Sequence, residues 1–143
     1  MDQKEPLSRE ARTMLLVLMG AFTMTTVMFS VLVLLLDTTA QRTQAATAPG
    51  AARMVCMVMG IAFAALSVYW TTQRMATAKS PAELQTRMIV AFALSEAVCI
   101  CGLLLYFLLH RSLEFWPFAA LALIVDVLFI IPRVLEYPVA GSV

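Results

Sequence analysis

At 143 residues the chain has the length of one ordinary domain, yet 62% of it is hydrophobic against 13% charged, and its mean hydropathy is +0.87. A soluble fold of this size needs polar residues over its outside, so the composition excludes one and makes an integral membrane protein the default class. The formal net charge of +1 speaks against nucleic acid as a partner and against a strongly basic lipid-binding surface.

Four apolar stretches follow in chain order. Met14 to Leu36 and Met54 to Gln73 carry no charge, Met88 to Leu109 carries only Glu96, and Phe115 to Pro132 carries only Asp126. A hydrocarbon core of about 30 Å needs roughly 20 helical residues, so each stretch is read as a transmembrane helix. The expected architecture is all-α: a four-transmembrane-helix bundle forming a single integral membrane domain over residues 1–143, with helices near 13–36, 53–73, 87–110 and 114–132.

The first stretch follows Lys4, Arg9 and Arg12 and precedes "AATA" (Ala45 to Ala48), which raises the question of a cleaved signal peptide. Its apolar part exceeds the roughly 15 residues of a secretory h-region, so it is read as a signal anchor that stays as the first helix. The next segment, Asp37 to Ala52, is rich in Ala, Thr and Gln with a Pro-Gly pair, and is expected to be a mobile external linker without a site. The loop "QRMATAKSPAELQTR" (Gln73 to Arg87) should join helices two and three as an antiparallel hairpin. Ser80 before Pro81 could start the run-in to the third helix. The fourth helix should begin near Phe115, with Pro117 harmless in its first turn, and end near Pro132.

Lys and Arg set the orientation. Lys4, Arg9, Arg12, Arg74, Lys79, Arg87 and Arg133 fall on one side, and Arg42, Arg53 and Arg111 on the other. Both termini are therefore expected to be cytoplasmic, in a multi-pass protein of the plasma (inner) membrane.

Catalytic groups are sparse. Cys56, Cys99 and Cys101 fall inside helices, and Cys99 and Cys101 point about 200° apart, so neither chelation nor bridging is expected of them. His110 is the single histidine and has no second ligand at a metal-binding spacing. Ser30, Ser67 and Ser95 lack a base and should bond to their own helix or a neighbouring one. The chain is read as no enzyme, with no cofactor and no metal.

The two intramembrane acids carry the information. A carboxylate at the centre of a spanning helix costs on the order of 2.5 to 3.5 kcal/mol on insertion scales, so it must face protein, find a partner or stay protonated. Glu96 lies nine residues beyond Arg87, about 13 Å in, and shares its face with Ile89, Phe92, Cys99, Ile100 and Leu103. Its partner must come from another helix, and Thr23, Thr26 and Ser30 form a candidate hydroxyl stripe on the first. Asp126 is the second proton-binding candidate. Two such acids face to face could share a proton, since desolvation and like charge both favour the neutral carboxyl. The small residues Ala91, Ser95, Cys99 and Gly102 make a stripe suited to close helix contact.

The string "SPAELQTRMIVAFALSEAVCICGLLL" resembles the second half of the rotary ATP synthase c subunit, the rotor-ring proteolipid. In that family a polar cytoplasmic loop leads into a helix reading roughly Ala-Leu-x-Glu-Ala-x-x-Ile-x-Gly-Leu. Here Lys79 and Pro81 would lie in the loop, and Ala93, Leu94, Glu96, Ala97, Ile100, Gly102 and Leu103 match the helix. The resemblance covers about residues 55–109 and implies that Glu96 occupies the ion-carrying position, with a proton rather than sodium as the ion. The whole-chain layout is more similar to small uncharacterised four-helix membrane proteins.

Three readings of function result. One is a small non-catalytic membrane protein in which Glu96, protonated or hydrogen-bonded, holds helix register. The second is a proteolipid-like proton carrier using Glu96. The third is an accessory subunit of a larger membrane complex, with Phe115, Trp116 and Phe118 anchoring the external interface. Partners are the lipid bilayer, and other membrane subunits or further copies of the chain.

Overall fold

A computed structural model describes residues 8–40 and 50–137, which form helices and tight helical turns with no strand among them. Helix α1 spans Arg9–Ala40, α2 Gly50–Tyr69, α3 Pro81–Leu109, α4 Trp116–Val125 and α5 Ile131–Leu135. Four helical segments are long and apolar enough to cross a membrane: Arg9–Asp37, Gly50–Thr77, Pro81–Leu109 and Ser112–Leu135. The expected "AATA" segment, most of the external linker, Lys4 and Arg42 of the charge count, and the tail after Tyr137 lie outside the described residues.

Each helix runs further than the apolar stretches indicated. Helix α2 continues through a π turn, Trp70–Arg74, and a 3-10 turn, Met75–Thr77, so the expected polar loop shrinks to Ala78–Ser80. Helix α3 starts at Pro81 because Ser80 caps it. The Ser80 hydroxyl accepts from the Glu83 N–H at 3.3 Å, while the Glu83 carboxylate accepts from the Lys79 N–H at 2.9 Å. This is a reciprocal cap of the kind that settles the orphan donors of a first turn. Arg87 then closes the hairpin, donating to the Thr77 hydroxyl at 2.9 Å and to the Arg74 carbonyl, and pairing with Glu83.

The fourth span runs on to Leu135, a little past the expected end near Pro132. It opens into a π turn, Asp126–Ile130, in which the Ile131 N–H reaches the Asp126 carbonyl, and Pro132 falls in the first turn of α5. A proline there lacks only an N–H that the widened turn no longer needs, so the helix passes it without breaking.

Helix α3 is the hub: α1, α2 and α4 all pack on it, and α4 also touches α1 and α2. The stripe Ala91, Ser95, Cys99 and Gly102 is buried along α3, as its small residues implied. Two hydrogen bonds set the α2–α3 register, from the Ser67 hydroxyl to the Ala91 carbonyl at 2.9 Å and from the Trp70 indole to the Arg87 carbonyl at 3.2 Å. Higher up, Phe118 of α4 wedges between Gly60 and Gly102, where either residue with a side chain would collide with it. Without a hydrophobic drive between helices in lipid, such close contacts and interhelical hydrogen bonds supply the association. Phe118 and the fully buried Phe115 are thus core residues; as external anchors they do not serve.

At the end opposite the hairpin, Arg53 pairs with Glu114 at 3.0 Å and the Ser112 hydroxyl donates to Asp37 at 3.0 Å. Helix α3 terminates in His110, whose φ of 50° is left-handed. That conformation disfavours L-residues and suits glycine. His110→Gly is expected to raise stability by about 1 kcal/mol in a detergent unfolding titration, whereas His110→Ala should bring no gain.

Candidate functional site

The packing seam of α1 repeats at four and three residues through Leu15, Met19, Phe22, Thr26, Phe29 and Val33. Phe22 stacks on Phe92 of α3 with ring centroids 5.1 Å apart, which fixes how α1 is rotated against α3. Thr26 therefore lies in the buried seam and Thr25 at its edge.

Glu96 meets that edge. On α3 it stands between the buried Phe92 and Cys99 and the exposed Ile89 and Ile100, and is itself half-buried. Thr25 is the α1 side chain within reach of its carboxyl, and the Thr25 hydroxyl itself donates to the Ala21 carbonyl at 3.2 Å. The expected stripe of Thr23, Thr26 and Ser30 does not supply the partner. Thr23 donates to the Met19 carbonyl at 3.0 Å and Ser30 to the Thr26 carbonyl at 2.9 Å, each satisfying its hydroxyl on its own helix. The Thr26 hydroxyl is buried with no hydrogen-bond partner among the described residues.

Asp126 is 2% exposed at the start of the π turn. The Ser95 hydroxyl lies within reach of its carboxyl but donates to the Ala122 carbonyl at 3.1 Å, and Oδ1 of Asp126 has no partner among the described residues. Glu96 and Asp126 are within electrostatic reach of each other. Each nonetheless has its own hydroxyl, Thr25 for one and Ser95 for the other, and the structure places no hydrogen bond between the two carboxyls. No Lys or Arg neighbours either acid among the described residues.

Ser95 and Ser67 do what serines without a base can do: both bond across to a neighbouring helix. The site thus consists of two acids and two hydroxyls at the junction of α1, α3 and α4. Among the described residues no three of His, Cys, Asp and Glu come together to hold a metal, and Cys56, Cys99 and Cys101 are free thiols. Sequence reasoning missed Thr25, because the angle at which α1 meets α3 depends on the Phe22–Phe92 stack. The 4-3 spacing of the larger α1 side chains was the available signal.

Compared with known protein families, curated proteins and solved structures, the chain matches none.

Proposed function

We propose that this is a non-catalytic integral membrane protein with both termini cytoplasmic, in which Glu96 acts as a neutral, hydrogen-bonded pin between α1 and α3. The observation that carries the reading is the placement of a half-buried carboxyl on α3 beside the half-buried Thr25 hydroxyl of α1, with no cation beside it among the described residues. A threonine hydroxyl has one proton. The Thr25 hydroxyl directs it to the Ala21 carbonyl at 3.2 Å, which leaves its oxygen to accept from a protonated Glu96. The same reasoning applies to Ser95, which donates to Ala122 and can accept from Asp126. Neutral carboxyls avoid the cost of an unpaired charge in hydrocarbon, and their hydrogen bonds select one helix register.

Glu96→Gln tests this reading, since the amide donates to Thr25 as a protonated carboxyl would. The variant is expected to keep the parent's unfolding midpoint in detergent, while Glu96→Ala loses on the order of 0.6 to 1.7 kcal/mol, the range for hydrogen bonds between membrane helices. A midpoint that falls as far in Glu96→Gln as in Glu96→Ala would oppose the pin.

The half-buried position of Glu96 favours a second reading, a proton carrier related to the rotor proteolipids, because a carrier's carboxyl must be reachable. In that case proteoliposomes should take up protons under an imposed potential and Glu96→Gln should abolish the flux. The pin reading expects no flux from either protein.

A further inference from the structure

Cys101 faces a second thiol on another helix. The side of α2 turned to α3 runs through Ser67, Ala64 and Gly60, all buried, and its next member outward, four residues before Gly60, is Cys56. Cys56 is half-buried and packs on the core. The side of α3 turned to α2 repeats at three and four residues through Ala91, Leu94, Val98, Cys101 and Leu105, and Cys101 is 7% exposed. The divergence of about 200° between Cys99 and Cys101 sends them to different neighbours. Cys99 lies within electrostatic reach of Glu96 and Asp126, and Cys101 within reach of Cys56.

Register and separation both favour a bridge. The Ser67 bond to Ala91 and the Trp70 bond to Arg87 hold α2 and α3 antiparallel and in step. Ten residues outward from the first pair, Met57 comes level with Cys101, which puts Cys56 one residue, about 1.5 Å, off that level. A Cβ on Gly60 would lie 3.7 Å from Cβ of Cys101. The Cβ atoms of a disulfide are roughly 3.5 to 4.5 Å apart, so at this height the two helices are as close as a disulfide needs. Cys101 projects between Gly60 and Cys56, which stand one turn apart on the facing helix. The polar end of the bundle is near: Arg53, three residues outward of Cys56, is half-exposed and pairs with Glu114.

We infer that Cys56 and Cys101 form a reversible disulfide on exposure to hydrogen peroxide, stapling the outer half of α2 to α3. Cys56 gives up its proton, attacks one peroxide oxygen as the thiolate and becomes a sulfenic acid as the O–O bond breaks; the departing hydroxide takes up that proton and leaves as water. The Cys101 sulfur then attacks the Cys56 sulfur, the S–O bond breaks, and the hydroxyl leaves with the Cys101 proton as a second water. The two thiols lose two electrons and the peroxide gains them. A dithiol reductant reverses the link. This site is separate from the Glu96 junction, and the chemistry is the same whichever end of the bundle faces the cytoplasm.

The test treats the full chain in detergent with hydrogen peroxide, alkylates the remaining thiols after denaturation and maps the tryptic peptides by mass spectrometry. Expected is the peptide Met54–Arg74 joined to Met88–Arg111, lighter by two hydrogens than the two together, with one thiol, Cys99, alkylated in place of three. Dithiothreitol should release both peptides. Cys99→Ala is expected to keep the link, and Cys56→Ala and Cys101→Ala each to lose it. Three alkylated thiols after peroxide, a link through Cys99, or a covalent dimer through Cys56 of two chains would overturn the assignment. So would sulfinic acid on Cys56 beside an alkylated Cys101, because a second thiol within reach captures the sulfenic acid first.

Discussion

Gly102→Ala is expected to destabilise the bundle by about 1 to 3 kcal/mol, the cost of forcing a methyl group into a packed interior. The added carbon would lie 2.7 Å from Cβ of Phe118 and 3.1 Å from the Phe115 carbonyl, so both neighbours are anchored close to the α4 backbone. Gly60→Ala meets the same phenylalanine differently, at the edge of its ring, 2.8 Å from Cδ1. A ring edge can be removed. Combining each glycine variant with Phe118→Ala should therefore separate them: the penalty at Gly60 disappears in the double variant, and that at Gly102 persists. Equilibrium unfolding of the parent, the three single variants and the two double variants in one detergent reads both. Equal rescue at the two positions would show that α4 shifts freely over α3, contrary to the wedge.

Phe92→Ala should have the other large effect, about 3 kcal/mol or more, as for a fully buried aromatic truncated to a methyl group. Phe92 is wholly buried and stacks on Phe22, and α1 packs on α3 and α4 but makes few contacts with α2. The loss falls on the helix with the fewest alternative contacts. The expected result is a bundle in which α1 detaches before the rest, seen as faster hydrogen exchange across α1 than across α2. Uniform exchange in all four spans would contradict the arrangement in which α3 is the hub and α1 an outer helix.

The four spans were legible because hydropathy registers length, and a helix that crosses a bilayer needs little else. Their ends were less legible for identifiable reasons. The Ser80–Pro81–Ala82–Glu83 cap was visible in the sequence, yet the polar run up to Arg87 masked a helix that begins six residues earlier. Pro132 is a helix stop by local rules, and the π turn at Asp126 lets the chain pass it, a compensation that depends on the whole turn. The buried stripe on α3 could be read because small residues stand out among large ones. The facing side of α1 could not, because a helix that is apolar all round gives no contrast between lipid and protein. Of the hydroxyl stripe Thr23, Thr26 and Ser30, only Thr26 lies in the buried seam, and the other two satisfy their own backbone. Both acids are visible as charges inside apolar runs, while the hydroxyls beside them, Thr25 and Ser95, depend on the helix rotations that packing decides.

The pin between α1 and α3 is tested most directly by a double-mutant cycle of Thr25→Ala and Glu96→Ala, read as unfolding free energies in detergent. If Glu96 holds α1 through Thr25, the two losses overlap, with a coupling of about 0.6 kcal/mol and no more than about 1.7 kcal/mol. Strictly additive losses would mean that the two side chains do not act on each other, and Glu96 would then have no part in joining the helices.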